Sequence, residues 1–441
     1  MGEIMQYNFL GIDLTDGVKP RHVLAYFSLV LISSGYAGAM ATLQPGLLQV
    51  MGVDMAVQGQ VTGKLTALQE VILILSLGPI GAIADRIGRK PVYIFGLLAT
   101  ALGFGLYPFA QSIGQLAAFR VIVAIGGAAM LGMMVTVIAD YTRNSTRGHA
   151  NGLQGFVATL GAFIPPILVG LPAYYVANGA SELAAQKSTF GIAASMGIIG
   201  ALIALIGLSP NAGRIANDVK TKFVDILSDG AKAAKDPGVS LSYGAAFISR
   251  GDLAITGAFI FLWLIHIGTS RGMVVSDAMG FAMPRILMVV IGALIGSIVM
   301  GLLADRFRKV TAVAIAAGLA SFAYITMGFV EDPSAPWVFG LLAIMGVAEI
   351  SAFVSSQVLV GQRARPDRRG AIIGFFGVAG AVGILIATMG GGILFDKVKP
   401  SAPFLLFGLL NLLVLFWALW LRRKEAGAPE PKFIEPANDG A

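Results

Sequence analysis

The stretch GAIADRIGRK, residues 81–90, returns 220 residues later as GLLADRFRK, residues 301–309. A second stretch, RGHANGLQGFVATLG at 147–161, returns 222 residues later as RGAIIGFFGVAGAVG at 369–383. In that pair Arg147 and Arg369, Gly148 and Gly370, Gly152 and Gly374, Gly155 and Gly377, and Gly161 and Gly383 coincide. Two separate matches at nearly one offset point to a parallel internal repeat, in which two halves of the chain fold alike.

The surrounding composition says what is repeated. Of the 441 residues, 56% are hydrophobic and 12% charged, and mean hydropathy is +0.80. A soluble domain carries about 25% charged residues, so this chain is solvated mainly by lipid. A bilayer span takes roughly 20 apolar residues. Such runs are predicted at 24–50, 65–84, 91–110, 114–138, 151–176, 189–208, 243–268, 281–303, 310–330, 336–359, 370–394 and 402–421. Each is helical by necessity, because lipid offers the backbone no hydrogen-bond partner. The fold expected is an all-α integral membrane protein. Its twelve transmembrane helices form two six-helix bundles related by a parallel pseudo-two-fold repeat. The predicted organisation is a cytoplasmic N-terminal segment 1–23, a first bundle 24–208, a cytoplasmic amphipathic linker 209–242, a second bundle 243–421 and a cytoplasmic tail 422–441. In the linker Ile215, Val219, Phe223 and Ile226 recur at helical spacing. The 57 glycines sit inside apolar runs, where small residues let helices approach closely.

Twelve spans place both termini on one side, and charge tells which side that is. Twenty-three of the 31 Lys and Arg fall on the side of the termini and six on the other, Arg285 counted at the outer start of span eight. Arg120 and Arg250 lie within spans. The bias puts both termini in the cytoplasm and accounts for the net charge of +7 without nucleic acid. The first 23 residues are mixed polar and read as having no cleavable leader. Without cysteine, and with three scattered His, no disulfide, thiolate site or metal cluster is expected.

At this point the chain resembles the major facilitator superfamily. The loop after the second span matches that family's G-x-x-x-D-R-x-G-R-K in full, through Gly81, Asp85, Arg86, Gly88, Arg89 and Lys90. The copy keeps Gly301, Asp305, Arg306, Arg308 and Lys309 but is one residue shorter and lacks the second glycine. The resemblance implies a conformational latch on the cytoplasmic side, built from Gly81, Asp85, Arg86, Gly88, Arg89 and Lys90 with Asp305 and Arg306. The bland alternative is a positive-inside turn. Span four, with Arg120, Gly126 and Ala129, is similar to the fourth-span motif of proton-driven members, although Ala124 stands where a glycine is usual. Span five keeps Gly161, Pro166 and Gly170 of an antiporter signature, with Pro165 and Val169 replacing glycines. Two prolines inside a span deform it, so Gly161, Pro165, Pro166 and Gly170 read as a helix-bending element.

Ionisable residues inside a membrane are expensive and mark function by default. The candidates for proton coupling or substrate binding are Arg120, Glu349, Asp252, Glu70 and Arg250, joined by Tyr36 and Gln44 on a first span that has no acid. Arg120 is expected about 10 Å below the outer end of span four and needs an acid, an anionic substrate or water. Glu349 is placed near the middle of span ten, Asp252 and Arg250 in the cytoplasmic third of span seven, and Glu70 a turn or two inside the outer end of span two. A buried carboxyl can be neutral, so Glu349 and Asp252 suit proton carriage. Arg250 suits snorkelling to the interface equally well. Phe156, Phe163, Phe259, Trp263, Met130 and Met133 read as packing before substrate contact.

The expectation is a secondary transporter of a small organic or amphipathic solute in a bacterial inner membrane. It works by alternating access and is proton-coupled, with export by antiport slightly favoured. Uptake by proton symport, uniport and a non-transporting sensor or scaffold remain the alternatives. No nucleophile motif, nucleotide loop or His cluster supports an enzyme. The expected partners are the solute and membrane lipid, with no nucleic acid, and the chain is expected to be a monomer. No cofactor is expected, the proton gradient serving as energy source.

The natural absence of cysteine makes the topology directly measurable. In intact cells a membrane-impermeant thiol reagent should label the variant Ala180→Cys. It should reach Arg306→Cys only after permeabilisation, and the reverse pattern would invert the orientation.

Overall fold

A computed structural model of the protein describes residues 8–209, 223–365 and 368–427. Among them are twelve helices long and apolar enough to cross a membrane: Pro20–Val50, Met55–Ile87, Arg89–Phe109, Ile113–Tyr141, Arg147–Ala177, Glu182–Gly207, Pro237–Ser270, Val275–Arg306, Lys309–Gly328, Val338–Arg363, Arg369–Lys397 and Ala402–Lys424. They are spans one to twelve below. Most exceed the apolar runs that announce them, because a helix continues past the last apolar residue while its backbone bonds can still form. Span two starts with the polar GQVTGK around Gln58, which hydropathy reads as loop.

The longer helices move several charges. Glu70 stands twelve residues into the α-helix Gln58–Ile87, about 18 Å along it, not near its outer end. Asp252 falls in the middle of span seven, Pro237–Ser270, rather than in its cytoplasmic third. Arg285 is not at a helix start but ten residues into span eight, where it is buried. Its Nη2 donates to Ser334 O at 3.1 Å, and its guanidinium lies over the Phe339 ring.

The chain divides into two compact units, Met1–Asp218 with Gly268–Pro284, and Val219–Ile267 with Arg285–Ala441. In the first, the N-terminal segment is not a plain polar lead. Two strands, β1 (Asn8–Phe9) and β2 (Ile12–Asp13), pair antiparallel across a turn with Leu10 and Gly11 both at positive φ, the geometry of a tight type I′ hairpin. The hairpin is sewn to the loop after span four. Arg143 N donates to Asp13 O and Thr15 N to Tyr141 O, Asp13 N donates to Thr146 Oγ1, and Arg143 pairs with Asp16 at 3.0 Å. Ile12, Leu14 and Val18 are buried beneath it.

Span five is two helices, Arg147–Gly161 and Ile164–Ala177. The break has a packing cause as well as a proline one. A Cβ on Gly161 would lie 2.5 Å from Leu31 O, and Pro165 Cγ lies 3.3 Å from where a Cβ on Gly38 would be. Small residues on spans one and five thus meet backbone to backbone at the bend.

In the second unit spans eight and ten cross through glycines. A Cβ on Gly346 would overlap Val289 O, and one on Gly292 would overlap Ala343 O. The short helix Phe223–Ala233 packs on span eleven, with Tyr243 OH donating to Gly230 O at 3.1 Å. The rest of the predicted linker helix, with Ile215 and Val219, lies outside the described residues.

The crossing of spans eight and ten leaves no room for a side chain at Gly346. Gly346→Val should lower stability by about 1–3 kcal/mol or more, read as a fall in the thermal midpoint in detergent. Gly340→Ala, with nothing within 4 Å, should leave it unchanged or raise it by about 0.5–1 kcal/mol.

Candidate functional site

In the first unit the candidate residues meet in one buried network. Arg120 is 2% exposed, seven residues into span four. Its Nη1 donates to Gln44 Oε1 at 3.1 Å. Tyr107 OH donates to the same oxygen at 2.7 Å, and Gln44 Nε2 donates to Thr62 Oγ1 at 3.2 Å. Arg120 Nε has no hydrogen-bond partner, and no carboxylate of the described residues pairs with Arg120. Burying a cation without a counter-ion is costly, so the amide dipole of Gln44 and the phenol are its main stabilisers. Tyr36 is elsewhere in span one, donating to Ala193 O of span six. That bond ties two helices and leaves the hydroxyl committed.

The acids meet in the second unit. Asp252 is fully buried, and Asn411 Nδ2 donates to its two oxygens at 3.0 and 2.9 Å. Thr256, one turn further along span seven, shares a 2.7 Å hydrogen bond with Tyr324 OH. Tyr324 OH also donates to Glu349 Oε2 at 3.2 Å. The chain of hydroxyls therefore connects Glu349 on span ten, through span nine, to the turn of span seven that carries Asp252. Neither carboxyl has a cation within ion-pair distance among the described residues. From Thr256 to Ile260 the helix widens to a π turn, a feature concentrated at functional sites. A void of about 10 Å³, lined by Ser355, Asn411 and five apolar residues, has room for one water molecule.

Other candidates are placed apart from this pair. Arg250 lies over the Phe353 ring at 4.6 Å, and a Cβ on Gly380 would lie 2.8 Å from its Cγ. Glu70 is half-buried in span two. Phe259 stacks on Phe395 and Trp263 on Phe404, as packing residues do, while Phe156 is exposed on its own unit. Gly170 faces Met283 Sδ closely enough that a Cβ would sit 2.9 Å away.

The Gly81–Lys90 loop is held by its own unit. Arg89 Nη1 pairs with Asp85 and Nε with Asp140 Oδ2 at 3.2 Å, while Lys90 Nζ donates to Leu208 O at the end of span six. Gly88 caps span two at φ +96, a conformation that favours glycine. Gly81 and Arg86 stand at the same helix end, where Arg86 is exposed. In the copy Asp305 and Arg306 are exposed, and Arg308 Nη1 donates to Glu425 O at the end of span twelve. A basic residue of each loop thus caps the last helix of its half.

Asn411, Tyr324, Thr256, Tyr107 and Thr62 were not among the residues singled out from sequence. Asn411 had a signal, as the lone polar side chain in LLFGLLNLLVLFW. The hydroxyl residues had none, since Thr and Tyr occur throughout such spans.

Comparison with known proteins now bears on this arrangement. The sequence profile of the Major Facilitator Superfamily matches residues 25–290 and, in a second match, 244–439. The chain belongs to the Major Facilitator Superfamily. Its members and its structural neighbours are transporters, not enzymes. Magnetosome protein MamH of Paramagnetospirillum magneticum is 25% identical over 424 residues, which cover 93% of this chain and 94% of that protein. The class E tetracycline resistance protein of Escherichia coli is 26% identical over 377 residues, 83% of this chain and 87% of that protein. A crystallised variant of the nucleoside transporter NupG superposes with a TM-score of 0.72 at 14% identity, over 91% of this chain and 99% of that one. A bacterial homologue of the human lysosomal transporter Spinster, inward-facing and unoccupied, gives 0.69 at 19% identity, over 96% and 100%. The protein is therefore an integral membrane transporter of this superfamily, with its two six-helix bundles.

The uncompensated guanidinium gives a test with a definite sign. Gln44→Glu supplies Arg120 with a carboxylate and should raise the thermal midpoint. Gln44→Ala removes the shared acceptor of Arg120 and Tyr107 and should cost about 1–3 kcal/mol.

Proposed function

We propose that this transporter moves a small organic or amphipathic solute by alternating access, coupled to protons, with export by antiport favoured over uptake by symport. The observation that carries the reading is the pair of buried carboxyls, Asp252 and Glu349, held among the described residues by neutral donors. A carboxylate in such a place lacks a counter-ion, and a proton is the one that restores neutrality without rearranging the helices. The hydroxyls of Tyr324 and Thr256 offer a relay between span ten and span seven, and the void beside Asn411 offers a place for one water. Asn411 and Tyr324 would bind and orient the two acids, which would carry the proton in turn.

Arg120 supplies a fixed positive charge in the first unit. Buried charges of both signs, Arg120 and Arg285 as well as Asp252 and Glu349, suit a solute that is not of one charge type, such as an amphipathic molecule. The likeness to a tetracycline resistance protein and the bent fifth span favour export. The charge bias of the loops supports an inner-membrane orientation with cytoplasmic termini.

The test is solute-induced proton movement in proteoliposomes, using a compound panel and an internal pH dye. A compound that triggers proton flux in the wild type should fail to do so in Glu349→Gln or Asp252→Asn. Tyr324→Phe should slow proton flux about a hundredfold, the lower range for loss of a proton-transfer group. Solute movement with no proton movement, unchanged in both carboxyl variants, would make the protein a uniporter.

A further inference from the structure

Spans one, three and six leave a recess at their ends away from the termini. Its volume is about 340 Å³, in the range of sites that hold small ligands. Every residue lining it belongs to the first unit. Val50, Pro108, Phe109 and Leu183 give it apolar walls, and Lys187 is the one charged residue among those that line it.

Lys187 stands five residues after Glu182, the first residue of span six. That is about 8 Å along the helix, a depth comparable with the headgroup layer of a bilayer. Its ammonium lies over the Phe109 ring, 4.8 Å from the centroid. Among the described residues no carboxylate is within ion-pair distance of it. Glu182 is committed elsewhere, to Ser276 N and Oγ. A ring face attracts a cation but accepts no ordinary hydrogen bond from it. An anion in the recess would supply both the missing charge and the missing acceptors.

An apolar track leads away from the lysine. Phe109 ends span three and Leu183 begins span six, yet both line the recess, so the two helices run antiparallel. They meet closely, since a Cβ on Gly197 would lie 2.8 Å from Leu97 O and one on Gly200 3.1 Å from Leu97 Cδ2. One residue beyond these contact positions, Leu98 and Ile198 are exposed, and one turn further along each chain so are Leu102 and Leu202. In antiparallel helices a step of one residue turns both side chains to the same side of the seam, so the exposed residues flank it together. Phe109 shares its face with Leu102, and Lys187 shares its face with Ile198 and Leu202, by their spacing. One cation thus heads two neighbouring apolar strips.

We propose that this recess holds the phosphate of an anionic phospholipid from the leaflet at that end, with Lys187 donating to the phosphate and the acyl chains lying along spans three and six. Charge complementarity selects the class. A zwitterionic lipid brings its own ammonium, and no acid lines the recess to receive it. The site rests on neither the proton-coupling reading nor any solute.

The experiment titrates the purified full-length chain in detergent with phosphatidylglycerol, phosphatidylcholine and inorganic phosphate in turn. The rise in thermal midpoint gives the half-saturating concentration of each. Phosphatidylglycerol should stabilise the wild type saturably, and phosphatidylcholine and phosphate should not. Lys187→Ala should raise the half-saturating concentration of phosphatidylglycerol about tenfold or more, as expected for loss of a hydrogen bond to a charged group, while Lys187→Arg should keep it. Lys64→Ala, at an exposed lysine of span two, should leave it unchanged. Leu183→Glu places a carboxylate four residues before Lys187, within reach of its ammonium, and should weaken phosphatidylglycerol binding with the lysine in place. If Lys187→Ala fails to fold, Leu183→Glu decides. An unchanged half-saturating concentration in the deciding variant overturns the site, and so does an equal loss in Lys64→Ala. Equal stabilisation by phosphatidylcholine overturns the selection for negative charge. Stabilisation by inorganic phosphate that Lys187→Ala abolishes makes the occupant a free anion and overturns the lipid.

Discussion

Hydrocarbon satisfies neither a backbone carbonyl nor a charge, and everything in this protein follows from that deficit. The backbone answers it with twelve helices. The side chains answer it locally: Gln44 serves Arg120, Asn411 serves Asp252, and Tyr324 serves Glu349. In each case the partner is neutral. Ion pairs occur instead at the helix ends, where Arg89 meets Asp85 and Asp140, and Arg363 meets Glu425 at 2.7 Å. Salt bridges fix the ends of the bundles, while these interior charges are solvated by dipoles.

The two halves solve the same problem with different residues. In the first, Lys90 reaches the end of span six; in the second, Arg308 reaches the end of span twelve. Asp140 joins Arg89 in the first half, whereas Glu425 and Asp236 flank Arg363 in the second. The repeat conserves the mechanical task, capping the last helix with a loop cation, more faithfully than the partner list. Interior chemistry diverges further, with Arg120 buried in the first unit and Asp252, Glu349 and Arg285 buried in the second.

Much of this was legible beforehand. The repeated loops announced two halves, and hydropathy placed every span, because lipid enforces a length and polarity that sequence must display. Arg120 fell at its expected depth, since span four begins where its apolar run begins. Glu70, Asp252 and Arg285 did not, because polar first turns extend spans two, seven and eight beyond their apolar runs. The hairpin over residues 8–13 was hidden too, as four paired residues carry no periodic signal.

Sequence by itself determined the class, the number of spans and the bend at Gly161 and Pro165. Each of these depends on local composition or on spacing along one helix. Tertiary structure alone decided which charge meets which dipole, that Asn411 faces Asp252 across 159 residues, and that Gly268–Pro284 sits with the first unit. These depend on the rotation of glycine-rich helices about their own axes. Side chains that are apolar all round leave that rotation unspecified until close packing, through Gly46, Gly292 and Gly346, fixes it.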